Sequence, residues 1–145
     1  SEVLVVGYWL VASGTDMKEL VGQLRAKANA GVQVRFIFDR EAKAYGPDNF
    51  VALANLWPAS PTSPQRGLFT WSPKITDDSA PPKLHAKVII ADRYDGLVTS
   101  ANLTKAGFAS NLEMGVRVQG RAAKAIVHHF ERMMLAGQIV PVPET

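Results

Sequence analysis

Two apolar, β-branched runs near the N-terminus, EVLVVGYWL (Glu2 to Leu10) and VQVRFIFD (Val32 to Asp39), are separated by one helical stretch. This spacing constrains the fold more than any other feature of the chain. In SGTDMKELVGQLRAKANAG, Thr15 or Asp16 can cap a helix, and Leu20, Val21, Leu24 and Ala28 recur at helical spacing. Gly31 stands just past the end, where a C-terminal glycine belongs. Strand, helix, strand of this length implies a parallel strand pair joined by a crossover. The expected fold is α/β, with a mixed, largely parallel β-sheet flanked by helices.

Beyond Arg40 the pattern weakens until Phe50–Trp57, which suits a short helix stopped by WPASPTSP. GLFTW (Gly67 to Trp71) has strand character, and SPKITDDSAPPK is a long loop of the kind that often carries function. Three strand-like segments follow: LHAKVIIAD, then LVTSAN after a turn at RYDG, then NLEMGVRV. RAAKAIVHHFERMMLAG closes the chain as an amphipathic helix, with Ala123, Ile126, Val127, Phe130, Met133 and Met134 on its apolar face. Residues 1–145 are read as a single domain of 145 residues. The chain opens at Ser1 and enters a strand almost at once, so a domain excised from a longer protein is expected.

Ionisable groups interrupt this apolar framework. His85 and Lys87 share one face of a strand, about 6.5–7 Å apart along it, and Asp92 has the opposite parity. Two cation-capable groups side by side repel unless an anion joins them, although a single strand histidine can also be purely structural. Ser100 and Asn102 group neutral donors at a strand end, suited to a phosphate or equally to a turn. Glu113 stands among apolar residues, where it is either solvated or in want of a partner.

HAKVIIAD, followed by TSAN and then NLEMG, resembles the H-x-K-x₄-D signature and downstream segments of the phospholipase D superfamily. Thr99 replaces the glycine usual before the Ser-x-Asn element. The resemblance implies a phosphodiesterase that works through a phosphohistidine without a metal or other cofactor. It implies catalytic roles for His85, Lys87, Asp92, Asn102 and Glu113, and substrate binding by Lys87, Ser100 and Asn102. On this reading His85 attacks phosphorus, Lys87 holds the phosphate and Glu113 accepts the other imidazole N–H. Strand parity makes Asp92 an organiser of the loop behind the site. Such a site needs two histidine–lysine sets. His128 and His129 lie on the closing helix with no matching lysine, so a homodimer that completes the site is expected, the alternative being a second set in flanking sequence.

The substrate class rests on composition and resemblance. The net charge of +3 and pI of about 9.3 are compatible with a polyanion, DNA more than RNA. Arg35, Arg40, Lys43, Lys74, Lys83, Lys105 and Arg117 could line a phosphate groove, and Tyr45, Trp57 and Trp71 could stack on bases or fill the core. No apolar run approaches the roughly 20 residues of a spanning helix. The absence of cysteine excludes a disulfide framework and fits a cytoplasmic setting. TSANLT and NLEMG are similar to the phospholipase-D-like component of the DISARM phage-defence system, which implies a nuclease or nuclease-like subunit with defence-protein partners. A phospholipase and a weakly catalytic nucleic-acid-binding module are the other readings.

Overall fold

The computed structural model describes residues 1–40, 48–61, 66–73 and 82–143. β1 (Glu2–Gly7), α1 (Thr15–Asn29) and β2 (Gln33–Phe38) form the expected unit, with β1 and β2 parallel from Glu2↔Gln33 to Gly7↔Phe38. α1 follows Gly14 with no side-chain cap, so neither Thr15 nor Asp16 takes the capping place. α2 (Asn49–Leu56) is capped by the Asp48 carboxylate, which accepts from Phe50 N, and leads to β3 (Arg66–Trp71), parallel to β2. Then come β4 (Val88–Ala91), β5 (Asp95–Thr99), α3 (Lys105–Ala109), β6 (Gly115–Gln119), α4 (Arg121–Leu135) and β7 (Ile139–Pro141).

The sheet has seven strands in the order β6-β5-β4-β1-β2-β3-β7, mixed and flanked by helices. It is less parallel than expected: the β1–β2 and β2–β3 ladders are parallel, whereas β1–β4, β4–β5, β5–β6 and β3–β7 are antiparallel. Parallel neighbours need a crossover, which α1 and α2 supply; the tight turn between β4 and β5 permits only reversal. Asp92 and Arg93 make that turn at φ 52° and 57°, a region asparagine and aspartate tolerate better than most residues.

Both faces of the central strands are covered, which is why EVLVVG shows no clean alternation. Val5, Val34, Phe36 and Phe38 pack with Met17, Val21 and Leu24 of α1 and with Leu53 and Trp57. Leu4, Val6, Ile37, Val88 and Ile90 pack with Ala123, Val127 and Phe130 of α4. Each such side chain contributes about 1.5–3 kcal/mol on burial, so these two layers dominate the stability. Trp57 is wholly buried, edge-on to Phe36, and is a core residue rather than a stacking platform.

Two strands start later than the apolar pattern suggests: β4 at Val88 rather than Leu84, and β6 at Gly115 rather than Asn111. β1 pairs with β4 only as far as Val6↔Val88, so the residues before Val88 lie outside that ladder. α3 and β7 have no counterpart in the apolar pattern; five and three residues are too short to show a period. Among the described residues no helix is long and apolar enough to cross a membrane.

Candidate active site

The order β6-β5-β4-β1 gathers four chain segments at one end of the sheet. β4 runs antiparallel to β1, so the stretch entering β4 lies beside the stretch leaving β1. Thr99 N donates to Lys87 O (3.0 Å) and Ser100 N donates to Met114 O (3.0 Å), carrying the β4–β5–β6 register one step past the strands. His85 and Lys87, Ser100 and Asn102, Glu113, and Tyr8 therefore converge from loci far apart in sequence.

Lys87 is buried, with 6% of its surface exposed. Its Nζ donates to His85 O (3.0 Å) and lies 3.1 and 3.2 Å from the two ring nitrogens of His85. Near-equal distances place the ammonium astride the ring rather than on one lone pair. The Tyr8 ring completes the group: its centroid is 4.8 Å from that of His85, and Nζ of Lys87 and of Lys83 lie 5.7 and 5.9 Å from it. An ammonium over a phenol face gains a modest cation–π attraction. Burial pushes the Lys87 pKa below the usual lysine value, and the charge of Glu113 opposes that push.

Glu113 sits differently from its expected place. Its carboxylate accepts from Ser100 Oγ and from Asn111 Nδ2 (3.2 Å), and no hydrogen bond to His85 is present. The Ser100 bond first, then Asn111 and the charge of Lys87, hold its pKa below the usual carboxylate range against partial burial. Ser100 Oγ also accepts from Met114 N (3.1 Å), so its hydroxyl proton is committed to Glu113 rather than turned toward a substrate. The Thr99 side chain organises the turn, accepting from Ala101 N (3.1 Å) and donating to Met114 O (3.3 Å).

Asn102 follows, its position fixed on both sides. Leu103 N donates to Trp9 O (3.1 Å) and Val11 N to Leu103 O (3.0 Å), tying this loop to the end of β1. A Cβ on Gly107 would lie 2.4 Å from Asn102 O, so only glycine lets α3 press against the Asn102 backbone. Asn102 Oδ1 is buried with no partner among the described residues. Orphaned buried polar atoms are uncommon because they are costly, and an amide can present either its oxygen or its NH₂ at such a place.

Asp92 is removed from this group. It lies at the far end of β4, about 20 Å from His85 for an extended chain. There Glu2 N donates to its Oδ1 (2.9 Å) and Asp92 N donates to Glu2 O (2.8 Å). It pins the hairpin to β1, the ordering role its strand parity suggests, and it does not touch the site. Arg35 is likewise at that end and is not a groove residue: it is buried and pairs with Glu2 (2.7 Å) and Glu131 (3.3 Å). Arg117 is forked onto Asp95 at 2.8 and 2.5 Å. Arg40 and Lys105 are exposed, and Lys83 stands at Tyr8. Trp71 packs partly buried against the α4 layer. Lys43, Tyr45 and Lys74 lie outside the described residues. His128 and His129 are exposed on α4.

Three neighbours of the site were not singled out in the sequence: Tyr8, Asp39 and Asn49. Asp39 directly follows β2, and its Oδ2 accepts from Leu84 N (2.7 Å), next to His85. Asn49, wholly buried, donates to Tyr8 O (2.8 Å) and Asp39 O (2.7 Å) and accepts from Leu10 N (2.8 Å). The available signal was a tyrosine and an aspartate at the carboxyl ends of parallel strands, where α/β sheets place their sites. A cleft of about 460 Å³ lined by Asp39, Arg40, Thr70, Trp71 and Pro82 adjoins this wall. No cluster of three or more His, Asp or Glu able to hold a metal occurs among the described residues.

Residues 1–134 match the family model described as cardiolipin synthase, PLD-like domain. Among curated proteins none matches the chain. Solved structures share its fold, three of them as follows. The phospholipase D family member Nuc from Salmonella typhimurium is 24% identical with a TM-score of 0.69, and NucT from Helicobacter pylori is 17% identical with a TM-score of 0.73. These matches cover 98% and 97% of this chain and 82% of each of theirs. Phosphatidylserine synthase from Haemophilus influenzae Rd KW20 is 14% identical with a TM-score of 0.64; 98% of this chain is matched, spanning 34% of that one.

Proposed function

The chain belongs to the phospholipase D-like phosphodiesterase family, in the branch described as the cardiolipin synthase PLD-like domain, and we propose that it cleaves nucleic-acid phosphodiesters through a phosphohistidine on His85. The observation that carries this reading is the buried Lys87 ammonium, 3.1 and 3.2 Å from the His85 ring nitrogens; on the adjoining loop the Asn102 amide oxygen is buried and unpartnered among the described residues. A phosphate placed there receives a fixed positive charge and, with the Asn102 amide turned to present its NH₂, a neutral donor, which stabilise negative charge as it develops. One imidazole nitrogen attacks phosphorus, an N–P bond forms and the P–O bond to the leaving group breaks. Water then attacks the same phosphorus, the N–P bond breaks and His85 is restored. In this scheme Glu113, held by Ser100 and Asn111, balances the charge of Lys87.

The leaving oxygen needs a proton, which the partner's His85 supplies in a two-fold dimer. Leu112, Met114 and Val116 support such a contact: they are 102%, 81% and 59% exposed, on and just before the edge strand β6 and around Glu113. An exposed apolar row at an unpaired sheet edge favours association. DNA is the preferred substrate because the chain is mildly basic and Lys83 and Tyr8 extend the cationic and aromatic surface beyond the phosphate position. Likeness of TSANLT and NLEMG to the DISARM component extends the proposal to a DNA-processing or phage-defence setting with protein partners. The family description favours a second reading, a lipid phosphodiester.

Incubation in EDTA with single-stranded DNA, duplex DNA, RNA, phosphatidylcholine vesicles and a bis-aryl phosphodiester separates these readings. The expected result is EDTA-resistant cleavage of DNA and the aryl ester, abolished in His85→Ala. Cleavage of the vesicles alone would replace DNA with lipid, and unchanged activity in His85→Ala would overturn the site.

A further inference from the structure

The residues entering β4 carry the nucleophile, yet they lie outside the sheet ladder. Among the described residues their backbone is held at Lys87, whose carbonyl accepts from Thr99, at His85, whose carbonyl accepts from Lys87 Nζ at 3.0 Å, and at Leu84, whose N–H is taken by Asp39 Oδ2 at 2.7 Å. Asp39 is itself 3% exposed, a carboxylate enclosed at the end of a central strand. Burying a carboxylate is costly, and a neutral core would not need one there. Its backbone carbonyl accepts from Asn49, and the same amide fixes Tyr8 O and Leu10 N. One buried polar unit thus sets the end of β1, which carries the ring beside His85, against the segment that carries His85.

We propose that Asp39 is a positioning residue for His85, acting through the Leu84 N–H, with Asn49 holding Asp39 and Tyr8 in common register. This rests on the reading of His85 as the nucleophile. Leu84 is buried and anchors one side of the segment; with its N–H released, the hold left on His85 is the flexible Lys87 side chain at its carbonyl, and the ring can shift against Tyr8. An in-line displacement tolerates little of that, since a shift of about 1 Å can cost on the order of 100-fold in rate.

The test compares Asp39→Ala and Asp39→Asn with the wild type and with His85→Ala, using a bis-aryl phosphodiester in EDTA and the imidazole ¹⁵N signals of the three histidines. Asparagine keeps an acceptor oxygen in place; alanine does not. Asp39→Ala is expected to lose about 100-fold in kcat with KM changed less than about threefold. Its His85 signals should move while those of His128 and His129 stay, and Asp39→Asn should recover at least about tenfold of the lost kcat. A folded Asp39→Ala with wild-type kcat and unmoved His85 signals overturns the proposal, as does Asp39→Asn failing alongside Asp39→Ala. Should Asp39→Ala not fold, Asp39→Asn decides alone: it must keep the His85 signals in place. Activity in His85→Ala, or none in the wild type, would refute the nucleophile reading, while the ring signals would still report whether Asp39 places His85.

Discussion

Lys87 is the residue at which stability and the proposed chemistry oppose each other. Its pKa lies below the ordinary lysine value of 10.5 because burial disfavours the ammonium. A group that binds its proton less well folded than unfolded lowers stability wherever it is charged, and that cost fades as pH rises toward 10.5. Lys87→Met keeps the length and removes the charge. It is expected to abolish cleavage while raising Tm by about 2–4 °C at neutral pH, with the gain shrinking near pH 10.5. Thermal unfolding followed by circular dichroism checks it, and a lower Tm would show that the ammonium stabilises the fold. His85 and Lys87 were legible in the sequence because ionisable residues two apart before an apolar strand are conspicuous. Tyr8 and Asp39 were not, since Tyr8 sits inside one apolar run, Asp39 ends the other, and both acquire their meaning from the antiparallel placement of β4 against β1. The Glu113 partners were equally hidden: Ser100 and Asn111 reach it because β6 starts only at Gly115, leaving Glu113 on a loop.

At the scale of elements, the end of the sheet opposite the site is closed by ion pairs. Arg93 of the β4–β5 turn is bidentate on Glu131 of α4, at 2.8 and 2.5 Å, and also pairs with Glu2, while Arg35 of β2 reaches both carboxylates. Hydrogen bonding from Arg93 first, and then the charges of Arg93 and Arg35, hold the Glu131 pKa below the usual 4.5. Stability from this source is complete above pH 4.5 and is lost as pH falls through the lower folded value. Glu131→Gln is expected to cost about 1–2 kcal/mol at neutral pH, a figure moderated because Glu131 is about a third exposed. Urea unfolding should show the difference from wild type vanishing in acid; a constant difference would exclude a charge origin. The βαβ unit and α4 were legible from apolar spacing sustained over long windows. α3 and β7 were not, because short elements exist through their tertiary partners.

For the whole molecule, one chain supplies one histidine–lysine set at the end of a sheet whose exposed edge is apolar. α/β character and helices on the sheet followed from the order of elements. The antiparallel majority did not, because pairing direction is set by turns and tertiary neighbours rather than by strand composition. If two chains share one site, two copies of His85 face one phosphate, and only one of them can carry it at a time. The central claim is tested most directly by mixing the protein in EDTA with excess bis-aryl phosphodiester, quenching rapidly in base and mapping the phosphorylated residue. The account predicts a burst adduct on His85 alone, about half an equivalent per chain, absent from His85→Ala. An adduct on any other residue, or turnover persisting in His85→Ala, would contradict it.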